Sequence, residues 1–372
     1  MNFNNQKTEI VVVAMSGGVD SSLTAALLHQ QGYQVIGITM HLWDYNGVGG
    51  NIYHESACCS VEATHDAQQV CHKLGIPHYV IDLREEFDQC VIENFVAEYL
   101  QGRTPNPCIQ CNTKLKWGYL LDKARQLGAQ RLATGHYARV SYDRSKDRYL
   151  LLKGLDHSKD QSYALWGLTQ PMLEKTLFPL GTLTKAKVRQ MASELALKTA
   201  NRGESQEICF IPDNDYARFL KERLPTVLER IGEGDILDVT GQILGRHRGY
   251  PFYTIGQRKG LGIAVGRPLY VTQIEPQTNR IVVGDKDDLL SRGLIAEKVN
   301  WIAIEMLCSE LEVEAKIRYK APAARATITP LGPDTVRLLF ENPQPAVTPG
   351  QSVVFYDKDV VVGGGIISEA LK

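Results

Sequence analysis

Two patterns of apolar and polar positions alternate along the N-terminal part of the chain. The continuous apolar run at 10–15 (IVVVAM) predicts a buried strand, and the helical pattern after SGGVDSS predicts a helix that ends near Gly32. Further apolar runs and amphipathic stretches predict strands and helices in turn, at 33–40, 63–75, 78–83, 117–129 and 131–136. This alternation predicts an α/β domain with a parallel sheet, whose ligand site lies at the carboxyl ends of the strands.

The pattern changes twice in the rest of the chain. The Gly-rich, basic stretch at 245–268 has neither a helical nor a strand period, which indicates a small central domain. Apolar and charged residues then alternate, most clearly at 311–319, as is typical of an antiparallel β-barrel. The predicted domains are therefore an α/β catalytic domain, a small central domain and a C-terminal β-barrel, at 1–212, 213–284 and 293–372.

Composition and charge narrow the class of protein. Of the 372 residues, 44% are hydrophobic and 22% are charged, as in an ordinary globular enzyme. No apolar run approaches the ~20 residues that span a bilayer, and the polar N-terminus lacks a secretory signal, so we expect a cytoplasmic protein without membrane contact. The net charge of −1 makes any RNA binding depend on local basic patches. The eight cysteines are expected to be thiols in a reducing cytosol, so their spacing is informative.

The segment 16–22 (SGGVDSS) joins a predicted strand to a predicted helix N-terminus, where backbone N–H groups and the helix dipole attract phosphate. Gly17 and Gly18 permit positive φ and a close approach of the backbone, and Asp20 is suited to orient Mg²⁺. Hydroxyl donors can come from Ser16, Ser21 and Ser22. No Lys-Ser or Lys-Thr pair is present, so the segment is not a Walker loop. The alternative is an ordinary glycine turn capped by serine.

SGGVDSS resembles the signature of the PP-loop ATP pyrophosphatases, without departure. The resemblance implies that ATP is cleaved between its α- and β-phosphates and that the substrate oxygen becomes an AMP ester. It also implies a set of ATP contacts, to Ala14, Met15, Ser16, Gly17, Gly18, Val19, Asp20, Ser21, Met40 and Gly135.

Three cysteines are candidates for sulfur chemistry. Cys108 and Cys111 form a CxxC pair, and Cys111 precedes a basic stretch whose predicted helix dipole and lysines, Lys114 or Lys116, would lower the pKa of the thiol. Cys209 lies in the apolar context ICFI, which by itself favours a buried packing role. The remaining cysteines are interpreted as structural or incidental: Cys58, Cys59, Cys71, Cys90 and Cys308.

Several longer blocks extend the resemblance over most of the chain: GRTPNPCIQCN, ATGHYARV, KDQSYALW, ESQEICFI and YTIGQRKGLGI. Together they resemble the tRNA-specific 2-thiouridylases. The resemblance implies thiolation of the wobble uridine, with Cys111 as nucleophile, Cys209 as the persulfide carrier, and a disulfide between them during sulfur delivery. It implies tRNA and a persulfide-donating carrier or cysteine desulfurase as partners. The implied target-base contacts are Asn106, Pro107 and Cys108, and the implied tRNA contacts are His136, Lys159, Asp160, Gln161, Arg318, Tyr319 and Gln351.

Cys108 departs from the pattern, because many members of this family have Asp at that position. The acid/base role sometimes given to that Asp therefore does not transfer. Cys108, Cys111 and Cys209 are alternatively suited to three irons of a [4Fe-4S] cluster, and a partial zinc site or a redox pair has similar spacing. The spacing alone does not choose among them.

Basic residues cluster locally despite the neutral total, and phosphate contacts would explain the group, although a solvated face is the alternative. They are Arg103, Lys114, Lys116, Arg139, Lys159, Arg246, Arg248, Arg258, Lys259 and Arg318.

Two rival functions remain: a PP-loop synthetase that adenylates a small metabolite, and an RNA-binding module without catalysis. The first needs no cysteine trio, and the intact SGGVDSS argues against the second.

Overall fold

The computed structural model describes residues 9–43, 61–203 and 208–372. The chain divides into two compact units, each built from two segments of the sequence. Unit 1 comprises Met1–Cys90 and Cys108–Asn214, and unit 2 comprises Val91–Pro107 and Asp215–Lys372. Cys58 and Cys59 lie outside the described residues. The three sequence-predicted domain boundaries remain a prediction.

Unit 1 contains a five-stranded parallel sheet in the order β3-β2-β1-β4-β7. The central strand is a continuous apolar run because both faces of the sheet are covered, and Val11, Val12 and Val13 are fully buried. An antiparallel hairpin, β5–β6, belongs to the same unit. The strands are β1 Ile10–Ala14, β2 Gln34–His41, β3 His78–Asp82, β4 Arg131–Ala133, β5 Ala138–Asp143, β6 Arg148–Lys153 and β7 Thr176–Leu177.

Helices cover this sheet, and their apolar faces form one core with the strands, from Leu23 and Leu28 through Val70 to Val188. The described helical segments between residues 9 and 203 include α-, π- and 3₁₀-helices. They are Val19–Gln30, Val61–Leu74, Arg84–Phe87, Asp88–Ile92, Glu93–Leu100, Pro107–Gln110, Cys111–Leu120, Leu121–Gln126, Ser162–Leu165, Gln170–Glu174, Lys185–Glu194 and Lys198–Asn201.

Unit 2 begins with a small four-stranded sheet in the order β10-β11-β8-β9. Its strands are β8 Gly234–Asp238, β9 Ile243–His247, β10 Tyr270–Glu275 and β11 Arg280–Gly284. The helical segments from residue 208 onward are Tyr216–Arg223, Pro225–Ile231, Tyr250–Phe252, Pro276–Thr278 and Asp287–Leu289. Of the stretch 245–268, for which no strand period was found, residues 245–247 belong to β9, and residues 248–268 contain no strand.

Six antiparallel strands then form a closed barrel, because the first of them pairs with the last. They are β12 Leu290–Trp301, β13 Leu311–Lys316, β14 Ala324–Gly332, β15 Thr335–Pro345, β16 Ser352–Asp357 and β17 Val360–Leu371. Alternate residues such as Val313 and Ala315 point into its core. The predicted fold class is confirmed: a parallel α/β domain, a small central domain and a C-terminal β-barrel. None of the described helices is long and apolar enough to cross a bilayer.

Candidate active site

The glycine turn leads from β1 into the helix Val19–Gln30. Gly17 has φ +68°, and a Cβ atom there would stand 2.1 Å from the Ala63 carbonyl oxygen, so only glycine fits. Gly18 has φ −89°, and its nearest obstacle is the Ser16 hydroxyl at 3.6 Å. Both glycines permit positive φ, and only Gly17 of the two adopts it. The turn needs one glycine for its shape, and it leaves the N-terminus of the helix uncapped by a side chain.

Serine hydroxyls hold the turn together from inside. The hydroxyls of Ser16 and Ser21 lie 3.2 Å apart, and the Ser16 N–H donates to the Ser21 oxygen. The Ser22 hydroxyl donates to the Gly18 carbonyl at 2.8 Å, and its side chain is fully buried. The expectation that Ser22 offers a donor to phosphate is wrong, because its hydroxyl closes the first helical turn instead.

Asp20 contacts two segments that are distant in the sequence. Its carboxylate accepts hydrogen bonds from the Lys185 ammonium at 2.8 and 2.7 Å and from the Tyr137 hydroxyl at 2.8 Å. Lys185 opens the helix Lys185–Glu194, and Tyr137 follows β4. Sequence analysis missed both partners because they lie 165 and 117 positions from Asp20, with no local motif to mark them.

The turn lies where the order of strands in the sheet reverses. From β1 the chain proceeds through β2 to β3 on one side, and it returns to β4 on the other side of β1. In open α/β sheets this switch point is where ligands bind, outside the carboxyl ends of the strands. Gly135 lies in the loop after β4, and a Cβ atom there would stand 2.9 Å from the Ser21 nitrogen. Glycine thus allows this loop to lie directly on the first turn of the helix.

The other predicted ATP contacts belong to the strands beside the turn and to the start of the helix that follows it. Ala14 ends β1, and Met15 is buried with its N–H bonded to the Ile38 carbonyl at 2.8 Å. Val19 is a buried core residue that begins the helix. Met40 lies near the end of β2 and pairs in register with Ile81.

Cys111 lies inside a helix rather than before one. Successive helical segments run from Pro107 to Gln126, since Pro107 is well suited to start a helix. The expected help from the helix dipole is therefore weaker than predicted, because the dipole acts mainly on the first turn. The side chain of Cys111 is half-buried, and that of Cys108 is exposed.

The residue after Cys111 fixes this part of the helix. Asn112 is buried, and its side-chain amide donates to the Ala164 carbonyl at 2.9 Å. The Lys116 ammonium donates to the Asn112 side-chain oxygen at 2.8 Å. Lys116 thus lies one turn beyond Cys111, and after burial, the larger cause, its ammonium also lowers the pKa of His136.

Cys209 is half-buried, whereas its neighbours Phe210 and Ile211 are buried. Phe210 packs edge-on against Phe87 with ring centroids 5.6 Å apart. The packing role that the apolar context suggested thus belongs to the neighbours of Cys209. In the described parts of the chain, no three Cys, His, Asp or Glu side chains are grouped to hold a metal ion, and the described cysteines include Cys108, Cys111 and Cys209.

His136 lies between aromatic rings at the end of the β4 loop. Its Nδ1 is 2.7 Å from the Thr134 hydroxyl, and the Trp117 and Phe178 rings lie 5.9 and 6.0 Å away. Burial, followed by the Lys116 charge, holds the pKa of His136 well below its usual value. His136 is therefore neutral at physiological pH and offers a hydrogen-bonding group rather than a charge.

The loop with Lys159, Asp160 and Gln161 is held by its own side chains. Asp160 is buried, and its carboxylate accepts bonds from the backbone N–H groups of Gly154 and Ser162 and from the Ser162 hydroxyl. The Gln161 side-chain oxygen accepts from the Tyr137 N–H at 3.0 Å. Asp160 and Gln161 thus shape the loop.

In unit 2, Gln351 anchors the segment that precedes Asn106. Its amide donates to the carbonyls of Thr104 and Pro105 at 3.0 and 2.9 Å. The neighbouring Gly350 has φ +89°, and a Cβ atom there would stand 2.9 Å from the Thr104 backbone. Gln351, predicted as a tRNA contact, is thus also a support of the segment with the predicted base contacts Asn106 and Pro107.

Arg318 and Tyr319 lie after β13 of the barrel. The Arg318 guanidinium donates to the Pro345 carbonyl at 3.2 Å. The Tyr319 side chain is exposed, and the Lys316 ammonium lies 5.6 Å from its ring centroid. An exposed aromatic ring beside basic side chains suits both the bases and the phosphates of RNA.

These features define an α/β nucleotide-binding protein whose glycine turn lies at the switch point of its sheet. The chain matches three family models, described as "tRNA methyl transferase HUP domain" over residues 9–213, "tRNA methyl transferase PRC-barrel domain" over 217–285 and "Aminomethyltransferase beta-barrel domain" over 291–367.

Curated relatives match the chain over nearly its full length. It is 51% identical to "tRNA-specific 2-thiouridylase MnmA" of Carboxydothermus hydrogenoformans, over 97% of this chain and 98% of that protein. Two proteins of the same name are similarly close. That of Clostridioides difficile is 51% identical over 99% of this chain and all of the relative, and that of Salinibacter ruber is 50% identical over 96% of this chain and 94% of the relative. The chain belongs to the family of tRNA-specific 2-thiouridylases.

Proposed function

We propose that this chain uses ATP to replace the C2 oxygen of the wobble uridine of tRNA with sulfur. The observation that carries the proposal is that unit 1 holds both a phosphate-binding glycine turn and two half-buried cysteines, Cys111 and Cys209. The relatives that match the chain over nearly its full length are named as tRNA-specific 2-thiouridylases, which agrees with this proposal.

The first step activates the base. The uridine C2 oxygen attacks the α-phosphorus of ATP, the bond to the bridging oxygen breaks, and pyrophosphate leaves with the electron pair. The C2 oxygen becomes an AMP ester, which is a good leaving group. The backbone N–H groups of the turn and the uncapped helix N-terminus favour the phosphates.

The second step delivers sulfur. The terminal sulfur of a persulfide on Cys209 adds at C2, and AMP leaves. The Cys111 thiolate then attacks the Cys209 sulfur, so that a Cys111–Cys209 disulfide forms and the electron pair of the broken S–S bond stays on the sulfur bound to C2. A persulfide donor, either a sulfur carrier or a cysteine desulfurase, supplies the sulfur, and a thiol reductant restores the cysteines.

Mg²⁺ fits the donor set of the turn, because the Asp20 carboxylate provides hard oxygen ligands beside the phosphate position. Mg²⁺ supplies charge neutralisation of the triphosphate when bound. An iron–sulfur cluster fits less well, since the described residues offer no group of three ligands. We therefore propose the persulfide relay, in the cytoplasm, with no step through a cluster.

The tRNA is proposed to present a splayed-out base, because a base within a stem cannot reach such a site. Contacts are proposed from the predicted set, which comprises Asn106, Pro107, Cys108, His136, Lys159, Asp160, Gln161, Arg318, Tyr319 and Gln351. Neutral His136 would contact RNA through a hydrogen bond, and Arg318 through its charge.

Two other functions compete with this proposal. One is adenylation of a small metabolite. The other is methyl transfer, because two of the matching family models are described as tRNA methyl transferase domains. The synthetase needs no cysteine pair, and methyl transfer needs no cleavage of ATP. An anaerobic assay with unmodified tRNA, ATP, a persulfide donor and a methyl donor separates all three, with as-purified, iron-reconstituted and chelator-treated protein compared. The product nucleoside is identified by mass spectrometry.

Thiolated uridine from iron-free protein is the expected result. Thiolation that depends on bound iron would replace the relay with cluster chemistry. A methylated product, or pyrophosphate release without thiolation under any condition, would overturn the proposal.

A further inference from the structure

A buried hydroxyl group lies against the ring of His136. Thr134 is 3% exposed, and its Oγ1 atom is 2.7 Å from Nδ1 of His136. The Thr134 backbone is fixed as well, because its N–H donates to the Leu177 carbonyl at 3.3 Å, just beyond the end of β4. His136 is a proposed contact to tRNA, whereas Thr134 has no part in the mechanism so far.

The burial of Thr134 decides the direction of this hydrogen bond. A hydroxyl has one proton to donate, and a buried hydroxyl that donates to no acceptor destabilises the fold. In the described parts of the chain, Nδ1 of His136 is the one group to which the Thr134 hydroxyl is hydrogen-bonded. The hydroxyl therefore donates, and Nδ1 accepts. A neutral imidazole whose Nδ1 is an acceptor carries its proton on Nε2.

The surroundings of the ring favour this neutral form and fix its orientation. Burial, and after it the Lys116 charge, hold the pKa of His136 well below its usual value. The Trp117 and Phe178 rings lie 5.9 and 6.0 Å from the ring of His136, and Phe178 meets it edge-on. Trp117 is itself held in place, because its indole N–H donates to the Thr176 hydroxyl at 2.6 Å.

Nε2 is the open end of the His136 ring. Among the described residues it has no hydrogen-bond partner, yet it is not one of the buried polar atoms in that condition, so it is accessible to a ligand. The preceding residue, Gly135, lies on the first turn of the helix after the glycine turn. The open nitrogen therefore belongs to a loop that borders the expected nucleotide site.

We propose that Thr134 is a positioning residue that holds His136 in the neutral tautomer with its proton on Nε2, so that His136 donates to an acceptor atom of the bound tRNA. This inference rests on the proposed tRNA substrate. It narrows what His136 recognises, because an oxygen of the RNA accepts from an N–H group, whereas an exocyclic amine only donates.

The first test is a nitrogen NMR spectrum of the full chain with ¹⁵N-labelled histidine, which identifies the protonated nitrogen of each ring. His136 is assigned among the nine histidines from the signals that are missing in His136→Gln. We expect the proton on Nε2 in the unaltered protein and in Thr134→Ser. In Thr134→Val, which keeps the shape but removes the hydroxyl, the signals should move toward the mixture of tautomers of an unconstrained imidazole.

Two results of this spectrum would overturn the proposal. One is a proton on Nδ1 of His136 in the unaltered protein. The other is an unchanged His136 signal in Thr134→Val, since the hydroxyl would then not control the tautomer.

The second test separates the kinetic constants of thiolation. Thr134→Val is expected to raise the Michaelis constant for tRNA by about 3- to 10-fold, as for one lost hydrogen bond, and to leave that for ATP unchanged. Thr134→Ser should recover the constant for tRNA. Thr39→Val is the matched control, because Thr39 is also buried and its hydroxyl lies 2.9 Å from Nε2 of His78. It should change the NMR signals of His78 and neither constant.

Substitutions of His136 locate the donor atom. The side-chain amide of Gln reaches the position of Nε2, whereas that of Asn reaches only the position of Nδ1. His136→Gln should therefore bind tRNA within about 3-fold of the unaltered protein, and His136→Asn should lose about 10-fold. Equal losses, or a larger loss for His136→Gln, would overturn the proposal. If the unaltered protein thiolates no tRNA, the proposed function itself fails, whereas the NMR spectrum still tests the tautomer.

Discussion

The glycine turn and the cysteine-bearing segments of unit 1 are built on different principles. The turn depends on its backbone: Gly17 touches the Ala63 carbonyl, and Ser22 binds the Gly18 carbonyl. Cys111 and Cys209 instead present single sulfur atoms from half-buried positions whose neighbours carry the packing. The two halves of the reaction therefore rest on separate parts of unit 1, and substitutions should be able to remove either half alone.

The largest expected effect is on sulfur transfer. Cys111→Ala should reduce thiolation of tRNA by at least about a thousandfold, because the Cys111 thiolate makes the attack that releases the thiolated base. Binding of ATP should stay unchanged. Cys90→Ala is the control, since Cys90 is also half-buried in unit 1 and is a free thiol. Retained thiolation in the Cys111 variant, measured as thiolated nucleoside after digestion, would remove Cys111 from the mechanism.

The second prediction concerns the turn. Gly17→Ala should weaken ATP binding by on the order of 10-fold or more, because positive φ costs about 1–2 kcal/mol and the new methyl group meets the Ala63 carbonyl. Loading of Cys209 with persulfide should be unaffected, as read by mass spectrometry. Gly18→Ala should bind ATP nearly normally. Equal losses in the two variants would contradict the account of the turn.

A smaller effect is expected in unit 2. Gln351→Ala removes two hydrogen bonds to Thr104 and Pro105, and each is worth about 1 kcal/mol. The Michaelis constant for tRNA should rise about 3- to 10-fold, while the ATP constant stays the same. Gln344→Ala, at a half-buried glutamine on β15 whose amide donates to the carbonyl of Asn342 on the same strand, should change neither constant. An unchanged constant for tRNA in the Gln351 variant would show that this support is dispensable.

The smallest effect concerns a cysteine outside the site. Burial raises the pKa of Cys71 to about 12, so that the native thiol keeps its proton. Between about pH 9 and pH 12 the unfolded chain loses this proton and the native state does not, so the free energy of unfolding falls as pH rises, by at most about 1.4 kcal/mol per unit. Cys71→Ala should show a shallower alkaline fall in thermal midpoint than Cys308→Ala, whose parent thiol is exposed. Identical slopes would contradict the burial of Cys71.

Local patterns predicted the strands that lie at the centre of the sheet. β1 is a continuous apolar run and β2 is mainly apolar because both faces of the sheet are covered, and this feature is visible in the sequence. β7 has two residues, which is too few to show a period. The hairpin β5–β6 was also missed. β4 ends at Ala133 rather than at the predicted 136, because Gly135 turns the chain onto the helix after the glycine turn.

The site was predictable only where its residues are contiguous. SGGVDSS marks the turn, whereas the positions of Cys111 and Cys209 acquired meaning from resemblance, since each has an ordinary local environment. The contacts of Asp20 with Lys185 and Tyr137 depend on the folded sheet, which brings distant segments together. The only signal in the sequence was a lysine directly after the capping residue Thr184, where a helix N-terminus disfavours positive charge.

The short segment Val91–Pro107 belongs to unit 2, although in the sequence it lies between the two segments of unit 1. Phe95 of this segment packs on Phe219, and Tyr99 stacks on Tyr216 with ring centroids 4.9 Å apart. Recombination at a single point between residues 107 and 215 would therefore separate the two segments of unit 2. A fragment that ends at 214 keeps Phe95 and Tyr99 but loses the rings that cover them, whereas a fragment that begins at 215 loses the segment that contributes them.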